Sequence, residues 1–213
     1  MNDDKWWLNH KFDALFVFGA VMRWTKDAGW HFPLIMEEHE YSGRLVLGRW
    51  RAHAAAVLND IAPIILVSGG SDKHPNTGEK HSRAFELARL IVEFGVPSEK
   101  VFPMGTKNAS HTLGNVSNLT EYLRTNGSVR KIGMLCPRFQ MARAMVMQYR
   151  DPYYLEKGIE LTWIEVERTL IETGRIIKQT VDDLYTSPEA DICMQMEQRG
   201  LQDLLTEKYK PKT

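Results

Sequence analysis

Three arginines stand where they could hold an anionic ligand. Arg51 lies near the start of a predicted helix, whereas Arg138 and Arg143 follow the apolar segment that ends at Cys136. A guanidinium group carries a permanent charge and a planar fork of donors that fits phosphate or carboxylate. We expect Arg51 and Arg143 to face one pocket, to bind one anionic group and to lie outside the apolar core. Arg138 either joins them or is a solvated surface charge.

A glycine turn follows a second apolar segment. Residues 64–67 are Ile-Ile-Leu-Val, and the next three are Ser68, Gly69 and Gly70. Four consecutive apolar residues predict a strand that is buried on both faces. Two glycines allow a tight turn that exposes backbone amides at the carboxyl end of this strand, where ligands bind in open parallel sheets. The alternative is a strand-to-helix turn without a ligand.

Further polar residues could complete such a site. Thr112 and Asn115 offer neutral hydrogen-bonding groups near the start of a predicted helix, and Glu79 could order an arginine or a ligand hydroxyl. Cys136 occupies a position where a nucleophile could stand, but a lone cysteine is more often a small buried hydrophobic residue. The seven histidines have no metal-binding spacing, so no metal is expected.

These residues follow predicted strands or begin predicted helices. Strands that alternate with helices imply right-handed crossovers and a parallel sheet. We therefore predict an α/β fold, a three-layer sandwich with a mostly parallel, doubly wound, Rossmann-like sheet of about five strands, whose carboxyl edge gathers the polar segments. The predicted strands span 14–18, 64–67, 101–102, 131–136 and 160–166, and the predicted helices span 48–60, 77–94, 108–124 (capped by Asn108 or Ser110) and 139–149.

One long segment, 21–47, shows no regular period. It contains Trp24 and Trp30, whose rings could cover a ligand. Connections of this length inside a domain are often lids or binding loops, and the alternative is a packed surface excursion.

The end of the chain is predicted to contain only helices. They span 169–185 and 188–209, in an extension of about residues 168–213 that could clasp the core or a second copy of the chain. A homo-oligomer formed through these helices is therefore a possible assembly. We predict that residues 1–213 form one domain with a Rossmann-like core over about residues 13–149.

The charges are balanced, because 27 lysine and arginine residues against 27 aspartate and glutamate residues give a formal net charge of +0. This balance provides no overall attraction to nucleic acid or to an anionic membrane. The longest early apolar run is too short to cross a bilayer, and the two cysteines form no disulfide framework. We therefore predict a cytoplasmic protein without membrane insertion. The chain lacks a P-loop and the Gly-x-Gly-x-x-Gly fingerprint, which argues against ordinary NAD binding.

Five segments together resemble the ElyC/SanA/YdcF family, a group of bacterial Rossmann-like domains whose biochemistry is largely undefined. The resemblance covers about two-thirds of the chain, and it rests on the order and spacing of the segments. They are Asp13-Ala14 with the first strand and Gly19; Arg51 with Ala55 and Leu58; residues 67–70; residues 95–97; and Thr112 and Asn115 followed by Phe139, Arg143 and Ala144.

Two positions depart from the pattern of the family. Gly114 stands where the family usually has an acidic residue before Asn115, and Gln140 stands where it usually has a histidine three residues before Arg143. Glutamine cannot transfer a proton near neutral pH, whereas histidine can. If the chemistry of the family requires this proton transfer, it is lost in this chain or moved to another residue, and His111 is a possible substitute.

The residues and the resemblance lead to two hypotheses about function. The first is a small enzyme, a transferase or hydrolase, that acts on a phosphorylated or nucleotide-like metabolite, with His111 and Glu79 as catalytic candidates. The second is a non-catalytic module that senses such a ligand, S-adenosylmethionine among the family's suggested ligands, with a link to maintenance of the cell envelope. The candidate ligand-binding residues are Gly19, Arg51, Ser68, Gly69, Gly70, Thr112, Asn115, Arg138, Gln140 and Arg143.

Overall fold

The computed structural model describes residues 10–32, 47–105 and 111–206 of the chain. The strands are β1 (Ala14–Val17), β2 (Arg23–Thr25), β3 (Gly29–His31), β4 (Ile65–Gly69), β5 (Ser71–Lys73), β6 (Lys80–Ser82), β7 (Val101–Gly105), β8 (Lys131–Cys136) and β9 (Glu160–Glu165). The helices are α1 (Gly48–Val57), α2 (Arg83–Glu93), α3 (Thr112–Thr125), α4 (Arg138–Tyr149), α5 (Pro152–Glu156), α6 (Val166–Glu172), α7 (Lys178–Tyr185) and α8 (Pro188–Leu205), with a 3₁₀ turn at Ser98–Lys100.

Five strands form one parallel sheet in the order β7-β4-β1-β8-β9. β1 lies in the middle, where Phe16 pairs in register with Leu66 of β4 and with Met134 of β8. The chain runs outward from β1 in one direction through β4 to β7, and then in the other direction through β8 to β9. The predicted α/β sandwich with a parallel sheet of five strands is confirmed, and the strand order reverses between β1 and β8.

Helices cover both faces of this sheet. Leu15 and Val17 of β1 belong to a core cluster with residues of α1, α2 and α6. Ala14, Phe16 and Phe18 belong to a second cluster with residues of α3, α4, α5 and α8. Successive side chains of a strand point to opposite faces, so a strand between two helical layers must be apolar throughout. This requirement explains the continuous apolar runs in the sequence.

The second predicted helix begins later than expected. Residues 77–82 were expected to be helical, but Ser82 is the N-cap of α2 and accepts a hydrogen bond from the Phe85 backbone N–H. The preceding residues belong to the antiparallel β5–β6 hairpin. Gly78 adopts φ +70° in the loop, and its N–H donates to the His74 carbonyl oxygen at 2.9 Å. This turn geometry breaks any helix before Ser82, so the prediction from Thr77 is wrong.

The described part of the 21–47 segment forms a second antiparallel hairpin, β2–β3. Its tryptophans pack on histidines of the β5–β6 hairpin. The ring centres of Trp24 and His74 lie 4.3 Å apart, and the rings of Trp30 and His81 are stacked with their centres 5.1 Å apart. These contacts agree with a packed surface excursion, and residues 33–46 of the segment lie outside the described residues.

Helix α3 begins at Thr112, and His111 is its N-cap. The predicted caps Asn108 and Ser110 lie outside the described residues.

The C-terminal helices pack on the chain's own core. The predicted single helix over 169–185 is wrong, because Gly174, with φ +69°, separates α6 from α7. Ser187 caps α8, and Leu204 near its end belongs to the second core cluster. A third cluster joins α7 and α8 to α4 and to the start of α1; its buried members are Leu47, Phe139, Leu184, Ala190 and Cys193.

No helix in the described ranges is both long enough and apolar enough to cross a membrane.

Candidate functional site

The candidate site lies at the carboxyl ends of β1 and β8, where the strand order reverses. In doubly wound sheets this switch point opens a crevice between the two strands, and ligands bind there. Gly19 follows β1, Gly70 follows β4 and Arg138 follows β8. Because the strands are parallel, these three residues lie at the same edge of the sheet, as the sequence predicted.

Arg51 of α1 reaches the end of β1. Its Nη1 donates to the carbonyl oxygen of Phe18 at 2.9 Å and also to that of Gly19. The residue is 3% exposed, so the expectation that Arg51 lies outside the core is wrong. Burial lowers the pKa of the Arg51 guanidinium, and nearby acidic groups, Cys136 and Glu167 foremost, act in the opposite direction. Arg51 thus fixes the position where β1 ends.

Gly19 and Asn115 join the end of β1 to the start of α3. The Gly19 N–H donates to Asn115 Oδ1 at 3.0 Å, and Asn115 Nδ2 donates to the His111 carbonyl oxygen at 2.8 Å. A Cβ atom at position 19 would lie 2.6 Å from the Ser68 carbonyl oxygen and 2.8 Å from the Gly69 Cα. Only glycine permits this close approach of the two strand ends.

Thr112 gathers two side chains of α4. Its Oγ1 accepts hydrogen bonds from Gln140 Nε2 and from Arg143 Nη2, both at 2.9 Å. Two donors occupy both lone pairs of the hydroxyl oxygen. The start of α3 therefore orients the first turns of α4, and the predicted residues Thr112, Gln140 and Arg143 are in direct contact.

Two carboxylates from the C-terminal part of the chain complete the arrangement. Glu197 Oε1 of α8 accepts from Arg143 Nη2 at 2.7 Å. Glu167 of α6 is fully buried; its Oε2 accepts from the Arg138 backbone N–H at 3.0 Å, and its Oε1 accepts from the Tyr185 hydroxyl at 2.5 Å. Burial raises the pKa of the Glu167 carboxyl, although both hydrogen bonds oppose this shift.

Sequence reasoning missed both carboxylates, although each leaves a signal. Glu167 comes two residues after the end of β9, so the rule that drew attention to the ends of the other strands applies to it as well. Glu197 lies at helical spacing from the buried residues Ala190, Cys193 and Leu204. A charged residue on the apolar stripe of an amphipathic helix indicates a buried charged partner.

We refer to Arg51, Thr112, Gln140, Arg143 and Glu197 as the switch-point cluster. Within the described part of the chain, Arg51 Nε, Arg143 Nε and Gln140 Oε1 are buried and have no hydrogen-bond partner. Buried polar groups are nearly always bonded, and each unsatisfied one costs about 1–3 kcal/mol. The cluster therefore carries more hydrogen-bonding capacity than its own residues use.

Cys136 lies near the charges of the cluster but is not a nucleophile. The residue is 0% exposed, and burial raises the pKa of its thiol far above neutrality. The charges of Arg51 and Arg143 both lower this pKa, but by less than burial raises it. A thiol that stays protonated cannot attack a substrate, so Cys136 acts as a small buried hydrophobic residue.

His111 is placed beside Arg143 with its ring partly buried. Its Nδ1 accepts from the Gly114 N–H at 3.0 Å and so caps α3. Burial, followed by the charge of Arg143, lowers the pKa of the imidazole. The ring is therefore neutral near neutral pH, and because Nδ1 is an acceptor, the proton resides on Nε2.

Arg138 is not brought into the switch-point cluster. Its Nη2 donates to Glu165 Oε1 at 2.8 Å, and its guanidinium carbon lies 5.2 Å from the ring centre of Tyr185. The side chain is 46% exposed. Arg138 is therefore a surface arginine at the edge of the site, paired with Glu165.

The glycine turn after β4 is used for packing. Ser68 Oγ accepts from Asn118 Nδ2 at 3.1 Å, and the Gly70 carbonyl oxygen accepts from the Arg83 N–H at 2.8 Å. A Cβ atom at Gly69 would lie 2.8 Å from the Ala84 backbone nitrogen, so this glycine lets α2 begin directly against β4.

Glu79 is exposed in the loop of the β5–β6 hairpin. Its carbonyl oxygen accepts from the His74 N–H at 2.7 Å. The structure places no cluster residue in contact with Glu79 among the residues described.

The donor set suits an anion better than a metal ion. In the described ranges, no group of three or more histidine, cysteine, aspartate or glutamate residues could hold a metal. The cluster instead presents two guanidinium groups, an amide and a hydroxyl, which are ligands of phosphate and carboxylate groups.

Searches with protein-family models, among characterised proteins and among solved structures found no match to this chain.

Proposed function

We propose that the switch-point cluster binds the anionic group of a phosphorylated or nucleotide-like small molecule. The observation that carries this proposal is a pair of guanidinium groups at the reversal of strand order, the buried Arg51 and the partly buried Arg143, each with a buried Nε that has no partner among the described residues. The charge and planar donors of arginine match phosphate oxygens, and the switch point is where doubly wound sheets hold ligands.

Arg143 provides the cleaner test of this proposal, because Arg51 also supports the fold. A panel of inorganic phosphate, adenosine monophosphate and S-adenosylmethionine, extended by any metabolite that native mass spectrometry finds on the purified protein, is titrated by calorimetry. A charge-assisted hydrogen bond contributes about 1.5–3 kcal/mol, so Arg143→Ala should weaken binding about 10- to 150-fold. Arg143→Lys should restore only part of the affinity, since the planar fork is lost.

Arg138→Ala is the matched control. It removes the same charge from the first turn of the same helix, but its side chain is 46% exposed and lies outside the switch-point cluster. We expect binding to stay within about twofold of the wild type, because surface ion pairs contribute about 0–1 kcal/mol. Equal affinities of the wild type and Arg143→Ala would place the ligand site elsewhere.

A catalytic role is a second candidate, and the neutral imidazole of His111 beside Arg143 favours it. An uncharged histidine next to a bound phosphate could donate a hydrogen bond from Nε2 or exchange a proton with the ligand. His111→Asn keeps a good helix cap but cannot transfer a proton. Turnover of nucleoside phosphates that disappears in this variant, with binding and melting temperature retained, would support an enzyme, a transferase or hydrolase. Binding without turnover in the wild type would support the sensing module, for which Gln140 is the sequence argument.

Membership in the ElyC/SanA/YdcF family and a cytoplasmic location belong to the same proposal. Both rest on the sequence segments and composition described above, and the ligand panel includes S-adenosylmethionine because of the resemblance.

A further inference from the structure

The anion position beside Arg143 is already taken by a carboxylate of the chain itself. Glu197 accepts a hydrogen bond from Arg143 Nη2 at 2.7 Å, and the two side chains are only 15% and 19% exposed. Most arginine–glutamate pairs within one chain lie at the surface; this pair lies at the edge of the sheet where a ligand is expected.

The sequence of α8 allows this close contact. Gly200 lies three residues after Glu197, and a Cβ atom there would be 3.2 Å from Arg143 Nη1 and 3.3 Å from its Cδ. The backbone of α8 therefore rests directly on the arginine. Leu204 anchors the helix in the core beyond this point, and Cys193 anchors it before.

The internal carboxylate fills the site incompletely. It bonds to one nitrogen of Arg143, while Arg143 Nε and Arg51 Nε are left buried without a partner in the described chain. A phosphate group has more acceptor oxygens than a carboxylate and could bond to donors that Glu197 leaves unused. The site is thus closed by a group that has the right charge but does not reach the Nε donors of the two arginines.

We infer that Glu197 is an internal competitor of the ligand, whose carboxylate must leave Arg143 before a phosphate group can bind there. This inference rests on the proposed function and names how its site is regulated. A ligand can displace the carboxylate only through a stronger interaction with the open state, so affinity is reduced by the closed population. Only the middle of α8 needs to move, because both ends are anchored.

The test compares calorimetric titrations of inorganic phosphate into the wild type, Glu197→Gln and Asp191→Asn. Glutamine keeps the size of the side chain and removes the competing charge, so we expect about tenfold tighter binding, the factor that corresponds to about 1.4 kcal/mol. Asp191 is exposed on the same helix, and its replacement changes the net charge equally. We expect this control to bind phosphate within about twofold of the wild type.

Hydrogen exchange on the wild type provides a second measurement that needs no variant. Phosphate should increase amide exchange in the middle of α8, around residues 194–203, and leave α3 unchanged. In Glu197→Gln the same amides should exchange faster before phosphate is added.

The outcomes separate this inference from the proposed function. If Arg143→Ala loses phosphate binding while Glu197→Gln binds phosphate like the wild type or more weakly, the proposed binding site stands. The inference that Glu197 competes with the ligand is then overturned. If neither the wild type nor Glu197→Gln binds phosphate, the inference that Glu197 competes with the ligand is also overturned. The titration of the ligand panel into the wild type and Arg143→Ala then decides the proposed function. If Arg143→Ala binds as well as the wild type, the proposed site itself is wrong.

Discussion

The two ends of the central strands β1 and β8 are joined in different ways. At the amino end, Asp13 Oδ2 accepts the backbone N–H groups of Arg130 at 2.7 Å and Lys131 at 2.9 Å. These hydrogen bonds, that of Lys131 first, lower the pKa of the carboxyl. At the carboxyl end the same strands meet around Arg51, whose Nε has no partner within the described residues.

The difference separates a structural junction from a candidate ligand site. At the amino end, the carboxylate of Asp13 accepts hydrogen bonds from both backbone amides. The carboxyl end brings together two arginines, a glutamine and a carboxylate, and it leaves buried donors unused. Such unsatisfied groups lower stability, and natural proteins retain them mainly where function requires them. Unsatisfied buried atoms also occur at Gln148, Trp163 and Glu172, so the unused donors support the proposed ligand site only together with the strand order.

The largest effect should come from Arg51→Ala. The change removes the Arg51 donor from the buried carbonyl oxygen of Phe18 and from the partly buried one of Gly19, and it removes a cation near Glu167. We expect the free energy of unfolding to fall by about 3 kcal/mol, within the range for breaking a buried charged network. Urea denaturation measures this loss in the free energy of unfolding. Arg138→Ala is the control and should lower the free energy of unfolding by about 1 kcal/mol or less. A loss below about 1 kcal/mol for Arg51→Ala would mean that its hydrogen bonds do not hold the end of β1.

Gly19→Ala should have the next largest effect. The new methyl group would contact backbone atoms of Ser68 and Gly69 at 2.6 and 2.8 Å, so the strand ends must separate. We expect a loss of about 2 kcal/mol, as for other overpacked positions. Gly127 is the matched control, because a Cβ atom there meets nothing within 4 Å. If both alanine variants unfold at the same urea concentration, the close approach at Gly19 is not structurally important.

The buried carboxyl of Glu167 should make stability depend on pH. Its pKa is raised in the folded protein above the usual 4.5, so the folded state keeps the proton to a higher pH than the unfolded chain. This contribution is complete below about pH 4.5 and is lost as the pH rises through the folded pKa, with a slope of at most about 1.4 kcal/mol per pH unit. Glu167→Gln has no such proton and should lack the decline.

Thermal unfolding of the wild type and Glu167→Gln across this range measures the difference, with exposed Glu156→Gln as the control that should keep the wild-type profile. Parallel profiles for Glu167→Gln and the wild type would show that the carboxyl has the same pKa in the folded and the unfolded chain. In that case the hydrogen bonds from Tyr185 and Arg138 offset its burial.

The sequence predicted the sheet better than it predicted the site. The apolar runs of β1, β4 and β8 identify strands because a strand between two helical layers has no polar face. The convergence of Gly19, Thr112 and Arg143 at one edge follows from parallel strand order alone.

The burial of Arg51 could not be predicted in the same way. The sequence indicates an apolar stripe on α1 that consists of Trp50, Ala54, Val57 and Leu58. Alanines at 52, 55 and 56 are buried as well, so the buried surface of this helix is wider than the stripe and includes Arg51. The Arg143–Glu197 pair depends on how α8 packs on α4, a contact between segments far apart in the chain. Local periodicity holds no information about such contacts.

The smallest effect is expected at the amino end, from Asp13→Asn. Asp13 accepts two backbone hydrogen bonds but is partly exposed, so the loss at neutral pH should be about 0.5–1 kcal/mol and should shrink in high salt.

The sign of the pH dependence of Asp13 is opposite to that of Glu167. Because the folded pKa lies below the usual 3.8, the stabilisation is present above that value and is lost as the pH falls through the folded pKa. Urea denaturation of both proteins from about pH 7 to about pH 3 should therefore give curves that converge on acidification. Asp27→Asn, in the exposed turn between β2 and β3, removes the same charge and should match the wild type throughout. Equal stability of the wild type and Asp13→Asn at neutral pH would mean that the carboxylate charge is not what joins β1 to β8, and that the shape of the side chain is sufficient.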